Sequence, residues 1–192
     1  MADTKQTKTI GEHAVAAELA RRGWAPALTR DGLERTDILA VELAGSRTMI
    51  EVQVKAARGS GPRLSWPLGE KSQQPSLHAR EWFVMVAIDE LVTAPLRFFI
   101  LPRDHVAAAA WIEHMNWLTA PGIASGVRNV GPERARVTLP TFAGYEDAWS
   151  TLGEPTDQVP VLLPPQFHDY AQDHARVGLP PDHPWNKVLP NW

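Results

Sequence analysis

The 192-residue chain contains no cysteine, which excludes disulfides, thiolate metal sites and a cysteine nucleophile. It also lacks any apolar run approaching the length of a bilayer span. Its first residues, MADTKQTKT, contain no apolar stretch of the kind that marks a signal peptide. A cytoplasmic location without a membrane partner is therefore expected. Neither sign of charge dominates: 19 Lys and Arg stand against 22 Asp and Glu, for a net charge of −3. That excludes a globally basic nucleic-acid coat but leaves a local basic groove open. No phosphate-cradling P-loop, GxSxG elbow, HExxH helix or dinucleotide fingerprint occurs.

What is present begins with a composition of 44% hydrophobic and 21% charged residues, close to globular averages and incompatible with a wholly disordered chain. Two counts are high, 17 Pro and 8 Trp. Eight of the prolines fall in residues 153–192, so the chain divides into a domain over 1–152 and an irregular Pro-rich C-terminal arm over 153–192. The arm's Val161, Leu162, Leu163, Phe167, Trp185 and Trp192 imply packing, either on its own domain or on a partner. Its His168, Asp169, Asp173, His174, Asp182 and His183 show no zinc-type spacing and read as solvated surface.

Helical spacing of Val15 and Leu19 predicts a helix over 9–23, with Thr9 and Glu12 in capping-box spacing and Gly23 as its stop. An edge strand is expected over 25–29, a strand over 36–44, a turn at Gly45 and Ser46, and a strand over 47–56. The Gly- and Pro-rich stretch 57–80 reads as a loop with a short helix near its end. Residues 82–88 form a continuous apolar run, the signature of a buried strand. Residues 96–101 follow as its hairpin partner, and 103–118 as a second helix. A last strand over 135–139 and a short helix over 144–152 complete the domain. Trp82, Trp111 and Trp149 are expected in the core.

The strand over 47–56 alternates. Ile50, Val52 and Val54 occupy one face and Glu51, Gln53 and Lys55 the other. A tight hairpin to the preceding strand brings Asp37 to the Lys55 end. A carboxylate, an amide oxygen and an ammonium then converge at one end of a sheet. That set suits metal-assisted phosphodiester hydrolysis. Asp37 and the carbonyl of Gln53 are hard oxygen ligands for Mg²⁺ or Mn²⁺, and Lys55 positions water or stabilises charge on the phosphorus. Glu12, on the first helix, adds a second carboxylate.

In order and spacing, GEHAVAAELARRG, then TDILA, then IEVQVK resembles the PD-(D/E)XK nuclease superfamily. The likeness is to archaeal Holliday-junction resolvases and to small bacterial proteins with a QVK form of the motif. It covers residues 9–118, with a weaker echo to 152. The chain departs from the pattern twice: Thr36 stands where the motif has proline, and Gln53 where it has an acid. The resemblance implies an α/β (α+β), restriction-endonuclease-like fold with a central mixed sheet flanked by helices. It implies a Mg²⁺- or Mn²⁺-dependent nuclease acting on nucleic acid, with DNA as the substrate. Asp37, Gln53, Lys55 and Glu12 would be catalytic. Asp37, Gln53 and Glu12 would hold the metal, with Glu51 on the same strand face as a compensating carboxylate. Arg58, Arg63 and Lys71 follow the motif and would track phosphates, with Trp66 stacking on a base. The rival reading, motivated by Gln53 and by the negative net charge, is a catalytically inactive fold that binds nucleic acid or a protein partner. A homodimer or partner contact would then run through residues 153–192.

Overall fold

A computed structural model describes residues 4–29, 33–124 and 126–192. The first helix, α1 (Thr4–Arg21), begins five residues before the expected start. Thr9 is therefore not a cap: its hydroxyl donates to the Lys5 carbonyl one turn back, at 3.0 Å. Residues 1–3 and 30–32, part of the expected polar lead and loop, lie outside the described residues. The buried stripe of α1 is Thr7, Gly11, Val15 and Leu19, a four-residue repeat along one side of a helix.

The strands β1 (Trp24–Leu28), β2 (Ile38–Glu42), β3 (Met49–Arg58), β5 (Glu81–Ile88) and β6 (Arg97–Pro102) form one mixed sheet in the order β1-β2-β3-β5-β6. Neighbours are antiparallel except β3 and β5, which run parallel from Glu51 opposite Glu81 to Arg58 opposite Ile88. A parallel pair needs a long crossover. Here it is residues 59–80, which hold β4 (Ser65–Pro67) and the short helix α2 (Glu70–Gln73). β4 pairs with β7 (Arg136–Thr138) as a separate two-stranded ribbon.

Each face of the main sheet carries its own apolar layer. Ile50, Val52 and Val54 of β3 pack with Val84, Val86 and Ile100 under Val15 and Leu19 of α1. On the other face, Phe83, Met85, Phe99 and Leu101 meet α3 (Arg103–Leu118). α3 is covered in turn by β7 and by residues 161–179, which include α4 (Gln166–Gln172). The arm's apolar residues Val161, Leu163, Phe167, Val177 and Leu179 are thus spent on the chain's own core. Buried polar links pin it there. The Leu162 N–H donates to the Tyr145 hydroxyl at 2.8 Å, and that hydroxyl lies 2.8 Å from His105 Nδ1. Among the described residues, no helix is long and apolar enough to cross a membrane.

α1 approaches β3 closely because position 11 is glycine: a Cβ there would sit 2.7 Å from the Ala56 Cβ. Gly11→Val is expected to cost about 1–3 kcal/mol by overpacking, read as a lower urea midpoint. Burial pushes the His105 imidazole down to about 3, so the fold holds it neutral while the unfolded chain protonates it near its ordinary value. Stability is fully present above about pH 6.5 and falls as pH drops below it. Between pH 7.5 and 5 the loss is about 2 kcal/mol, and His105→Gln should flatten that slope in denaturation measured across the range.

Candidate active site

The site forms where β2 stops short of β3. The last paired residues are Ile38 and Val52. The Asp37 N–H donates to the Val52 carbonyl at 2.9 Å, and an Asp37 carboxylate oxygen accepts the Val54 N–H at 2.8 Å. Asp37 therefore caps the exposed edge of β3 beside Gln53. α1 brings in Glu12, whose capping role is removed by the longer helix. Lys8, one turn earlier, lies 3.3 Å from the Glu12 carboxylate and 3.9 Å from that of Asp37. Burial raises the Glu12 pKa, Lys8 opposes this, and the neighbouring Asp37 carboxylate raises it further.

Lys55 lies on the same strand as Gln53 and is half-buried. Burial pushes its pKa down, the Asp37 charge resists, and Arg103 and Lys8 add to the depression. Among the described residues Lys55 has no hydrogen bond or ion pair. It is a partly desolvated ammonium with donors unspent, in the field of the Asp37 carboxylate.

Gln53 has a different setting. Its Oε1 accepts from Arg103 Nη2 at 3.1 Å. Arg103 is the first residue of α3 and is buried, with its guanidinium 4.8 Å above the Phe83 ring. Its Nε donates to Glu81 at 2.7 Å. Glu81 also accepts from Arg35 at 2.9 Å and from the Leu77 N–H at 2.7 Å. Burial favours a raised Glu81 pKa, but the Leu77 amide and the Arg103 guanidinium overcome it and hold the carboxyl below its usual range.

Glu51 is not brought into the Asp37–Glu12 group. It accepts from the Thr36 hydroxyl at 2.7 Å and lies 3.1 Å from His78 Nε2. Among the described residues no three His, Asp or Glu side chains converge in a metal-binding group, in the arm or here. The expected nucleic-acid contacts separate. Trp66 is corrected to a core residue: it is fully buried, donates from Nε1 to the Val86 carbonyl at 3.1 Å and meets Phe99 edge-on at 5.6 Å. Lys71 is exposed but paired with Glu34 at 2.6 Å. Arg58 donates to the Thr7 hydroxyl at 3.2 Å, and Arg63 is exposed with no ion pair among the described residues.

Arg103, Glu81, Arg35 and Lys8 escape the sequence reading. Only Lys8 carried a local signal, its i, i+4 spacing to Glu12.

No protein-family profile matches the chain, and no curated protein does. Several solved structures do, among them these two. One is a bacterial homing endonuclease, 18% identical, with a TM-score of 0.51 over 82% of this chain and 97% of that one. The other is a Holliday junction resolvase from the archaeal hyperthermophile Archaeoglobus fulgidus, also 18% identical, with a TM-score of 0.42 over 77% of this chain and 96% of that one. The chain shares its fold with the homing endonuclease. That fold is the expected one, a five-stranded mixed sheet flanked by helices.

Removing Arg103 would leave Glu81 buried with one guanidinium instead of two. Arg103→Met is expected to destabilise by about 3 kcal/mol, the low end for breaking a buried pair because Arg35 remains. Urea denaturation against wild type measures it.

Proposed function

We propose that the protein is a PD-(D/E)XK-type, metal-dependent nuclease that hydrolyses phosphodiester bonds in DNA. The observation that carries this reading is the half-buried Lys55 ammonium, without a direct partner among the described residues, in the field of Asp37, whose carboxylate in turn neighbours that of Glu12. A lysine buried for structure alone would be paired, because an unpaired desolvated charge is costly.

The donor chemistry fits a hard divalent cation. Asp37 and Glu12 offer carboxylate oxygens, the class of ligand that Mg²⁺ and Mn²⁺ take. The Lys8 ammonium already stands between them as a positive charge, and its exposed side chain is able to swing outward. Asp37 and Glu12 would hold the metal, with the second lone pair of Gln53 Oε1 as a third donor. When bound, the cation supplies positive charge to phosphate oxygens and acidifies water.

The remaining work belongs to this chain's side chains. Asp37 is fixed by the Val54 N–H through one carboxylate oxygen, which holds the other, the one facing Lys8, in place. Lys55 donates to a non-bridging phosphate oxygen or to the attacking water. Arg103 holds the Gln53 amide in one orientation, with its oxygen toward α3. Water adds to phosphorus, the bond to the leaving oxygen breaks, and that oxygen takes a proton.

Cleavage of a DNA panel in Mg²⁺ or Mn²⁺ is expected from the wild type. Asp37→Asn and Lys55→Ala should each lower the rate by about 10²–10³ while folding normally by circular dichroism. Wild-type protein that cleaves nothing with either metal, or variants that cleave like wild type, would sink this reading.

A further inference from the structure

At the far end of α3 from Arg103, a cavity of about 360 Å³ opens between the helix and the β4–β7 ribbon. Trp117, His114, Val130, Arg134 and Arg136 are among the residues that line it. Trp117 is 43% exposed. The Arg128 guanidinium lies 4.9 Å from the centre of its ring, and Arg128 also donates to the Trp117 carbonyl. His114 is buried and fixed by its Nε2 against the Val130 carbonyl at 2.9 Å, so the wall behind Trp117 is rigid.

The charge here is lopsided. Residues 115–140 contain three arginines, Arg128, Arg134 and Arg136, and one acid, Glu133. None of the three makes an ion pair among the described residues, in a chain whose net charge is negative. Arg136 spends two donors on Ser65, at 3.0 and 2.9 Å, which aims it along the ribbon. Glu113 faces the same cavity, but both its oxygens are taken, one by the Thr138 N–H at 3.2 Å and the other by the Thr141 hydroxyl at 2.8 Å. Burial raises its pKa, against the pull of the Thr141 and Thr138 hydrogen bonds.

Unneutralised guanidinium groups beside an accessible indole are what a nucleotide strand needs: phosphates take the cations and a base takes the ring. The distance is also suitable. Fourteen residues of helix separate Arg103 from Trp117, about 21 Å, the axial length of about six base-pair steps of duplex.

We infer that this cavity is a second nucleic-acid contact that receives an unpaired nucleotide, its base against Trp117 and its phosphates on Arg134 and Arg136. The inference rests on the proposed nuclease reading and specifies its substrate: DNA with a single-stranded segment within about six nucleotides of the scissile bond.

The test uses the full chain and two labelled DNAs, a blunt duplex and the same duplex with a ten-nucleotide single-stranded tail. Binding is followed by fluorescence anisotropy without divalent metal, so that nothing is cut. Wild type should bind the tailed form more tightly. Trp117→Ala should weaken tailed-duplex binding about tenfold and leave the blunt duplex nearly unchanged. Arg134→Ala should reduce the slope of log affinity against log salt by about 1. Both side chains are exposed, and circular dichroism checks the fold. If wild type cleaves DNA yet both variants bind both DNAs as it does, this inference fails and the nuclease reading stands. If wild type binds and cleaves no DNA in any form, both fail.

Discussion

Glu81 carries two guanidinium groups on one buried carboxylate, and the active end of the molecule is organised around that fact. It is the first residue of β5, Arg103 is the first of α3, and Arg35 sits just before β2. Three segments distant in sequence are tied at one point, at the same end of the sheet as Asp37. Burying three charges this way costs desolvation that the attraction between them barely repays. What the arrangement provides is position. Arg103 has no freedom to leave Glu81, so its other edge is held against Gln53. Among the described residues its Nη1 is buried with no hydrogen-bond partner, a further sign that geometry rather than stability is served.

The polar face of β3 can be followed residue by residue on that basis. Glu51 is satisfied by Thr36 and His78, Gln53 by Arg103, and Lys55 by nothing in direct contact among the described residues. A strand face turned toward water would show no such gradient, since solvent would satisfy each side chain equally. The face instead runs from structural to unspent within five residues. The unspent end lies near Asp37, which stands just before β2 and neighbours Glu12 of α1. Gln53 fits this pattern better than an acid would in one respect. A carboxylate facing Arg103 would form a second strong pair and draw the guanidinium away from Glu81, whereas a neutral amide accepts one hydrogen bond and leaves the Glu81 knot intact.

Much of this was legible from local pattern. Alternation placed Glu51, Gln53 and Lys55 on one face, and the hairpin spacing put Asp37 beside them. The apolar run of β5 and the whole of α3 followed from residues near in sequence. What the sequence hid was set by pairing at long range. β4 is three residues long and exists because β7, about seventy residues later, pairs with it, so the Trp66 that looked like a loop aromatic became a core one. The Thr9–Glu12 spacing imitated a capping box although the helix had begun a turn and more earlier. The one local sign that the helix reaches back past Thr9 is the i, i+4 spacing of Lys8 to Glu12, and the buried Thr7–Gly11 stripe packs that extra turn on β3. Arg103 read as an ordinary first-turn residue because its partners, Glu81 and Gln53, are 22 and 50 positions away.

The net charge of −3 is a poor guide to what this surface attracts, because it counts charges already spent. Arg21, Arg22, Arg35, Lys71, Arg97, Arg103 and Arg176 are each committed to a carboxylate. The cations without an ion pair among the described residues include Lys55, Arg58, Arg63, Arg128, Arg134 and Arg136. These lie on β3, just before β4, on β7 and beside the end of α3. Two acids there are occupied, Glu113 by Thr138 and Thr141 and Asp104 by Ser76, and Glu133 is exposed among the arginines. A polyanion meets the field of uncompensated groups within about one Debye length, roughly 8–10 Å at physiological salt. Of this set, Arg128, Arg134 and Arg136 gather at the C-terminal end of α3, where the proposed second contact would receive a phosphate backbone.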